Sequence, residues 1–208
     1  MKIYDISMWI HNDMQVYKNK ADKRPVLRVV RDFSTGGVYE SAIQMDMHTG
    51  THIDAPLHVI ENARTVDAVD LYRLVTKCRV LDLTALSGAI TKSDLTGLDI
   101  SEEDFLLLKT KNSYTGRFAD DFVYLAESGA RYLVSRKIAG VGIDSLGIER
   151  NQSGHPTHKL LLGAEITVLE GLCLADIKAG EYVLIALPLK IRGAEASPAR
   201  AILLEDFP

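Results

Sequence analysis

The sequence predicts an α/β or α+β fold on a mixed sheet, and three observations carry that reading. Short runs rich in Val, Ile and Leu recur along the chain, each bounded by Gly, Pro, Asp or Ser, as strands are. Several helix-like stretches are interspersed among them instead of being gathered at one end. One helical stretch, 128–139, runs directly into a short apolar strand, 140–143, a layer contact of the βα kind.

In chain order, strands are predicted over 2–7, 25–33 and 39–47, the last with only loose alternation of apolar and polar residues. The segment 48–58 reads as a bent strand running into a loop. An extended path from His48 to His52 spans roughly 13 Å, so two imidazoles there reach one ion only by leaning together. A bend at Gly50 eases this, because glycine tolerates backbone angles that other residues do not. Pro56 then ends the regular part and carries His58 back over the segment. A helix follows over 67–76, then strands over 79–83 and 105–109 with a short helix at 92–95 between them. Helix 128–139 has Ser128 placed to cap it and Gly140 to end it. Strand 140–143, a helix over 157–162 ended by Gly163, and strands over 166–170, 182–187 and 199–204 complete the chain.

At 208 residues the expectation is one domain, 1–208, with a sizeable core. Apolar content of 47% and charged content of 25% are ordinary for a globular protein. A net charge of −4 without a basic stripe argues against a nucleic-acid partner. The basic clusters at 18–24 and 131–137 are short and broken, and read as solvated faces. Cys78 and Cys173 form no CxxC and read as two reduced, packed thiols. Asp5 interrupts the start of the chain, so it lacks the apolar core of a signal peptide. No run approaches the ~20 apolar residues of a membrane span. A cytoplasmic protein that meets no membrane is expected.

The chemistry concentrates in His48-Thr-Gly-Thr-His52-Ile-Asp54-Ala-Pro-Leu-His58, which holds three of the six histidines. Imidazole and carboxylate together suit Zn²⁺, Mn²⁺ or Fe²⁺. His48, His52 and Asp54 are the candidate ligands. His58 is open to two readings, a general acid–base that titrates near neutrality or a further ligand. A second polar cluster, Gly154-His155-Pro156-Thr157-His158, precedes Glu165 and Glu170. His158 at a helix start and Glu170 at the end of an apolar strand are the distant candidates, since a buried carboxylate is costly unless paired or metal-bound. A carboxylate has two oxygens, so Asp54 with a second acid could bridge two ions. Ser145, Ser153 and Ser197 lack a G-x-S-x-G context, and Gly140-x-Gly142 lacks a phosphate-loop pattern.

The 48–58 string resembles the H-x-G-T-H-x-D-x-P-x-H signature of the bacterial kynurenine formamidase and cyclase family of metal-dependent hydrolases. The resemblance continues through 118–122, 125–133, 140–145, His155-Pro-Thr-His158, Glu170-Gly-Leu172, 185–190 and 196–200, nearly the whole chain. It implies a compact swivelling β/β/α-type domain with a mixed, barrel-like sheet. It implies a first metal on His48, His52 and Asp54, and a second on Asp54, His158 and Glu170, with Glu170 touching both. Two Zn²⁺ ions are the expected cofactor, with Mn²⁺, and a single ion in some relatives, as the alternative. His58 is implied as the acid–base. The activity implied is amide hydrolysis of a small molecule, most specifically of N-formyl-L-kynurenine to formate and L-kynurenine in tryptophan catabolism; isatin-like lactams, esters or a non-catalytic metal-binding role are alternatives. A homodimer or homotetramer is implied, with neighbouring chains helping to build the pocket. One departure is that Tyr17 keeps the family's ring-stacking aromatic, whereas Lys18-Asn19 replaces the Pro-Gly that usually follows.

Overall fold

The computed structural model describes residues 1–205. In chain order its elements are β1 (Lys2–Asp5), β2 (Val26–Arg31), α1 (Phe33–Gly36), β3 (Glu40–Gln44), β4 (His52–Asp54), β5 (Val75–Asp82), β6 (Ala89–Ile90), α2 (Lys92–Thr96), β7 (Phe105–Lys109), β8 (Tyr124–Leu125), α3 (Glu127–Ser135), β9 (Gly140–Ile143), α4 (Pro156–Gly163), β10 (Thr167–Glu170), β11 (Gly180–Pro188) and β12 (Ala196–Glu205). Strands β5, β7, β9 and β10 run parallel, and α2, α3 and α4 make the crossovers between them, as parallel pairing requires. Antiparallel β11 and β12 extend the sheet from β5.

The sheet closes on itself. Ten-residue β12 pairs with β11 along one edge. On its other edge it takes β4 near its start and β1 near its end. Because β4 also pairs with β10, seven strands form a mixed barrel with β1 added outside the ring. The mixed sheet is the one the residue pattern predicted, and its barrel-like closure is the one the family resemblance implied.

Two apolar cores follow from the two faces of the sheet. Phe105, Leu107, Leu169, Ile53, Val80 and Leu203 fill the barrel. Leu106, Leu108, Val141 and Val168 face outward and are covered by Leu133, Leu161 and Leu162 of the helices. Strand β7 is buried on both faces, hence its unbroken Phe-Leu-Leu-Leu run. Gly140 and Gly142 serve this packing: a Cβ on Gly140 would lie 2.2 Å from the Phe105 ring, and one on Gly142 2.7 Å from Leu107.

Several sequence-based expectations need correction. Strands 25–33 and 39–47 do not join the main sheet; β2 and β3 pair only with each other, in an exposed ribbon. Their apolar side chains therefore reflect surface, not core. The helix expected over 67–76 is two 3₁₀ turns, Val66–Ala68 and Leu71–Arg73, and then the start of β5. Asp70 caps the second turn and β5 continues the chain as strand, so local capping and sheet pairing overrode a weak helical pattern. Ser128 lies inside α3, not at its cap, which is Ala126; α3 ends at Ser135 with Arg136 as its C-cap, and Gly140 opens the next strand. Cys78 is buried as expected, but Cys173 is exposed. The pairing of β6 with β8 was not foreseen. Among the described residues, no helix is long and apolar enough to cross a membrane.

Candidate metal centre

Sheet register brings the distant candidates together. In the antiparallel pair β4–β10, His52 lies directly opposite Glu170 and Asp54 opposite Val168. Ile53 and Leu169 point into the barrel core, so His52, Asp54 and Glu170 share the other face. Helix α4 packs there and supplies His158 from its first turn. His155 at the helix cap is left-handed (φ 53°) and Pro156 occupies the first helical position, which aims the helix start at the sheet. Gly50 makes the bend that the spacing argument required, at φ 63°. The 3₁₀ turn Pro56–His58 then returns His58 over the site.

Asp54 and Glu170 each turn one oxygen to each side of the centre. Asp54 Oδ1 lies 3.0 Å from His48 Nδ1 and 3.5 Å from His52 Nε2. Asp54 Oδ2 lies 3.4 Å from His158 Nε2. Glu170 Oε2 lies 3.3 Å from His52 Nε2, and Oε1 lies 3.1 Å from His158 Nε2. The backbone N–H of Ile148 donates to Oε1 at 2.5 Å. His52, Asp54 and Glu170 offer ligand atoms within 4.8 Å of one another, and so do His48, Asp54 and His58. His58 also stacks loosely with its neighbours, its ring centroid 4.2 Å from that of His48 and 5.3 Å from that of His158.

The electrostatics fit a cation. Burial would raise the Asp54 carboxyl, but contacts with His158 and His48 hold it well below the usual carboxylate range. Burial and Asp54 together would raise Glu170, yet His158 and His52 hold it down at about 2. Burial opposes charge on His52, but Glu170 and Asp54 outweigh it and lift the imidazole to about 9. His158 is raised for the same reason, against its burial. Two ionised buried carboxylates need positive charge beside them, because each uncompensated buried charge costs several kcal/mol, and either the raised imidazoles of His52 and His158 or a bound ion can supply it. His52 Nε2 and both Asp54 oxygens have no hydrogen-bond partner of good geometry among the described residues. Converging, unpartnered imidazole and carboxylate atoms are the donor set that a divalent transition ion takes.

The outer nitrogens of the three imidazoles face acceptors, although the contact of His158 Nδ1 falls short of hydrogen-bond geometry. His52 Nδ1 faces the Gly50 carbonyl at 2.8 Å, which leaves Nε2 for the centre. His48 Nε2 lies 3.5 Å from Glu195, and His158 Nδ1 3.3 Å from Glu149. Glu149 and Glu195 carry no local signal in the sequence; only the fold places them here. His58 differs from the others, because burial pushes its imidazole down, towards the neutral form.

The centre opens into a cavity of about 480 Å³, lined by His48, His58, His158 and Glu170 at one end and by Tyr17 and Gln152 farther out. Tyr17 is half-buried and packs edge-on against Phe118, with ring centroids 5.2 Å apart, and near Phe122 at 6.4 Å. The basic cluster 18–24 is not merely a solvated face: Lys18 and Lys23 line this cavity, and Lys23 pairs with Asp46 at 3.0 Å. Outside the centre, His11 is exposed, Glu165 pairs with Arg64, and Ser145 donates to the Gly147 carbonyl.

Comparison with known proteins agrees with this architecture. The chain is 31% identical to the kynurenine formamidase of Salinibacter ruber, across 98% of this chain and 97% of that protein. It superposes on a Bacillus stearothermophilus protein described as a predicted metal-dependent hydrolase with a TM-score of 0.90, at 50% identity and 97% coverage of both chains. It superposes on isatin hydrolase A of Labrenzia aggregata with a TM-score of 0.82, at 26% identity, covering 97% of this chain and 93% of that one. Residues 4–150 match the family model described as "Putative cyclase". With most of its length inside that model and relatives aligned from end to end, the chain belongs to the cyclase family.

Proposed function

We propose that the protein is a metal-dependent amide hydrolase whose preferred substrate is an aryl formamide, N-formyl-L-kynurenine, released as L-kynurenine and formate. The observation that carries this reading is the pair Asp54 and Glu170, each dividing its two oxygens between imidazoles on either side. His48, His52 and Asp54 would hold one ion, and His158, Glu170 and Asp54 a second, with Zn²⁺ the expected metal and Mn²⁺ the alternative. A divalent ion bound there supplies Lewis acidity that activates water and polarises a carbonyl.

The chain's own residues supply the rest. His58 faces the cavity beside both ligand groups, and its lowered pKa keeps it neutral and able to accept a proton from the attacking water. The same imidazole can then return that proton to the nitrogen of the departing arylamine. Tyr17 offers an aromatic edge to the substrate ring, and Phe118 holds it in place. A lactam substrate is the second reading, favoured by the likeness to isatin hydrolase A. Assembly as a homodimer or homotetramer is part of the proposal. The ribbon β2–β3 exposes Val29, Val30 and Ile43, a surface suited to cover by a second copy; a monomer in light scattering at micromolar concentration would overturn that element.

The test is a hydrolysis panel with N-formyl-L-kynurenine and isatin, run on protein stripped by chelator and then restored with Zn²⁺ or Mn²⁺, with metal counted in parallel. Formamide turnover that disappears on stripping and returns on restoration is expected. Full activity of the stripped protein would overturn the metal reading; turnover of isatin alone would favour the lactam.

A further inference from the structure

Glu149 is nearly fully buried, lies outside the ligand groups described above, and has divided its carboxylate between two tasks. Its Oε2 accepts the backbone N–H groups of Thr157, at 2.9 Å, and His158, at 3.3 Å, so it satisfies the free end of helix α4. Its Oε1 instead faces imidazoles: His155 Nδ1 at 2.6 Å and His158 Nδ1 at 3.3 Å. The opposite nitrogen of His158, Nε2, is the one that meets Asp54 and Glu170. An imidazole that ligates a metal through one nitrogen needs the other protonated and held by an acceptor, and that acceptor fixes both tautomer and ring orientation.

We propose that Glu149 is a positioning residue of the metal centre, one oxygen anchoring helix α4 and the other holding the Nδ1 proton of His158 so that Nε2 is left free to bind the ion. The inference rests on the metal reading above and adds a residue to it. The Gly50 carbonyl does the same for His52, at 2.8 Å from Nδ1. Glu149 differs in being a side chain, so a substitution can test it. The 3.3 Å contact to His158 does not reach hydrogen-bond geometry, whereas Oε1 meets the more exposed His155 at 2.6 Å, so the two imidazoles compete for Oε1.

The division of labour makes Glu149→Gln an informative variant. A Gln amide has one acceptor, and two backbone N–H groups require it to face α4. Its NH₂ must then face the imidazoles as a donor. His158 Nδ1 can meet that donor only as a lone pair, which moves the neutral ring's proton to Nε2, the nitrogen the ion needs. The helix cap survives while the tautomer is reversed.

The experiment is Zn²⁺ affinity by chelator competition on the full chain, wild type against Glu149→Gln, with thermal unfolding of both proteins in chelator. Affinity at the site that His158 helps to hold should fall by about 10–100-fold, while unfolding in chelator stays close to wild type. Affinity equal to wild type would overturn the role of Glu149 alone; a wild type that takes up no Zn²⁺ would overturn the metal reading and this inference with it. Should Glu149→Gln fail to fold, ¹⁵N NMR of the Zn²⁺-loaded wild type decides the matter. A protonated Nδ1 on His158 is the expected result, and metal on Nδ1 would overturn the proposal.

Discussion

His58 is the residue on which binding and proton transfer separate. Its ring lies among those of His48 and His158, yet burial lowers its pKa whereas carboxylate contacts raise those of His52 and His158. The difference is one of partners: His52 and His158 sit against Asp54 and Glu170, and His58 lacks such a contact within salt-bridge distance among the described residues. We expect His58→Ala to retain bound metal and to lose about 10²–10⁴-fold in turnover. Metal counting beside the hydrolysis assay checks this, and loss of the metal would make His58 a ligand instead. Tyr17→Ala should raise KM more than it lowers kcat, because the ring contributes to binding and not to the reacting bonds. An equal fall in kcat and kcat/KM would place Tyr17 in the transition state.

At the level of elements, the centre depends on where β4 meets β10. A one-residue slip would send His52 and Asp54 into the barrel and Ile53 to the site. The junction is tied just before the strand: the Thr51 hydroxyl donates to the Gly171 carbonyl at 2.5 Å and accepts from the Met8 N–H at 2.8 Å. Gly171 has φ 70°, and a Cβ there would lie 2.3 Å from the Gly50 carbonyl oxygen. Both the backbone angle and the space exclude a side chain. We therefore predict that Gly171→Ala costs about 2 kcal/mol or more in urea unfolding and weakens Zn²⁺ binding at the same time. A variant that loses neither would show that the junction can relax.

At the level of the whole molecule, β12 is the seam: it closes the barrel against β4 and carries β1 beyond it. Arg200 donates through Nε to both Asp5 oxygens at 3.0 Å, and that contact holds the Asp5 carboxyl below its ordinary value. A depressed carboxyl contributes stability above the unfolded pKa of about 3.9 and loses it as pH falls through the folded pKa. The pair is solvent-exposed, so its contribution is small. Asp5→Asn should thus be slightly less stable than wild type at pH 7, and the difference should shrink as pH falls through the folded pKa; a difference unchanged in acid would assign the effect to packing. Inside the barrel, Phe105→Ala should cost about 3–5 kcal/mol, far more than any surface pair, and chemical denaturation would show it.

The strands of the barrel were legible in the sequence because most of them are apolar runs bounded by turn residues, and β7 is the plainest case. Segments 25–33 and 39–47 misled because apolar β-branched residues mark strands whether or not anything covers them. Segment 67–76 misled because short capped turns imitate a helix start. Within the centre, His48, His52, Asp54 and the bend at Gly50 could be read from the sequence, since their chemistry is carried by residues close in the chain. His158 and Glu170 were named from their chemistry and from family spacing, but only the β4–β10 register shows Glu170 facing His52. Glu149 was invisible, because an acid that meets an imidazole nine residues away across a turn leaves no periodic trace. The sequence alone determined which groups could bind a metal and that strands interspersed with helices on a mixed sheet would carry them. Tertiary structure decided which nitrogen of each imidazole faces inward, because the β4–β10 register and the docking of helix α4 bring the facing carboxylates from segments far apart in the chain.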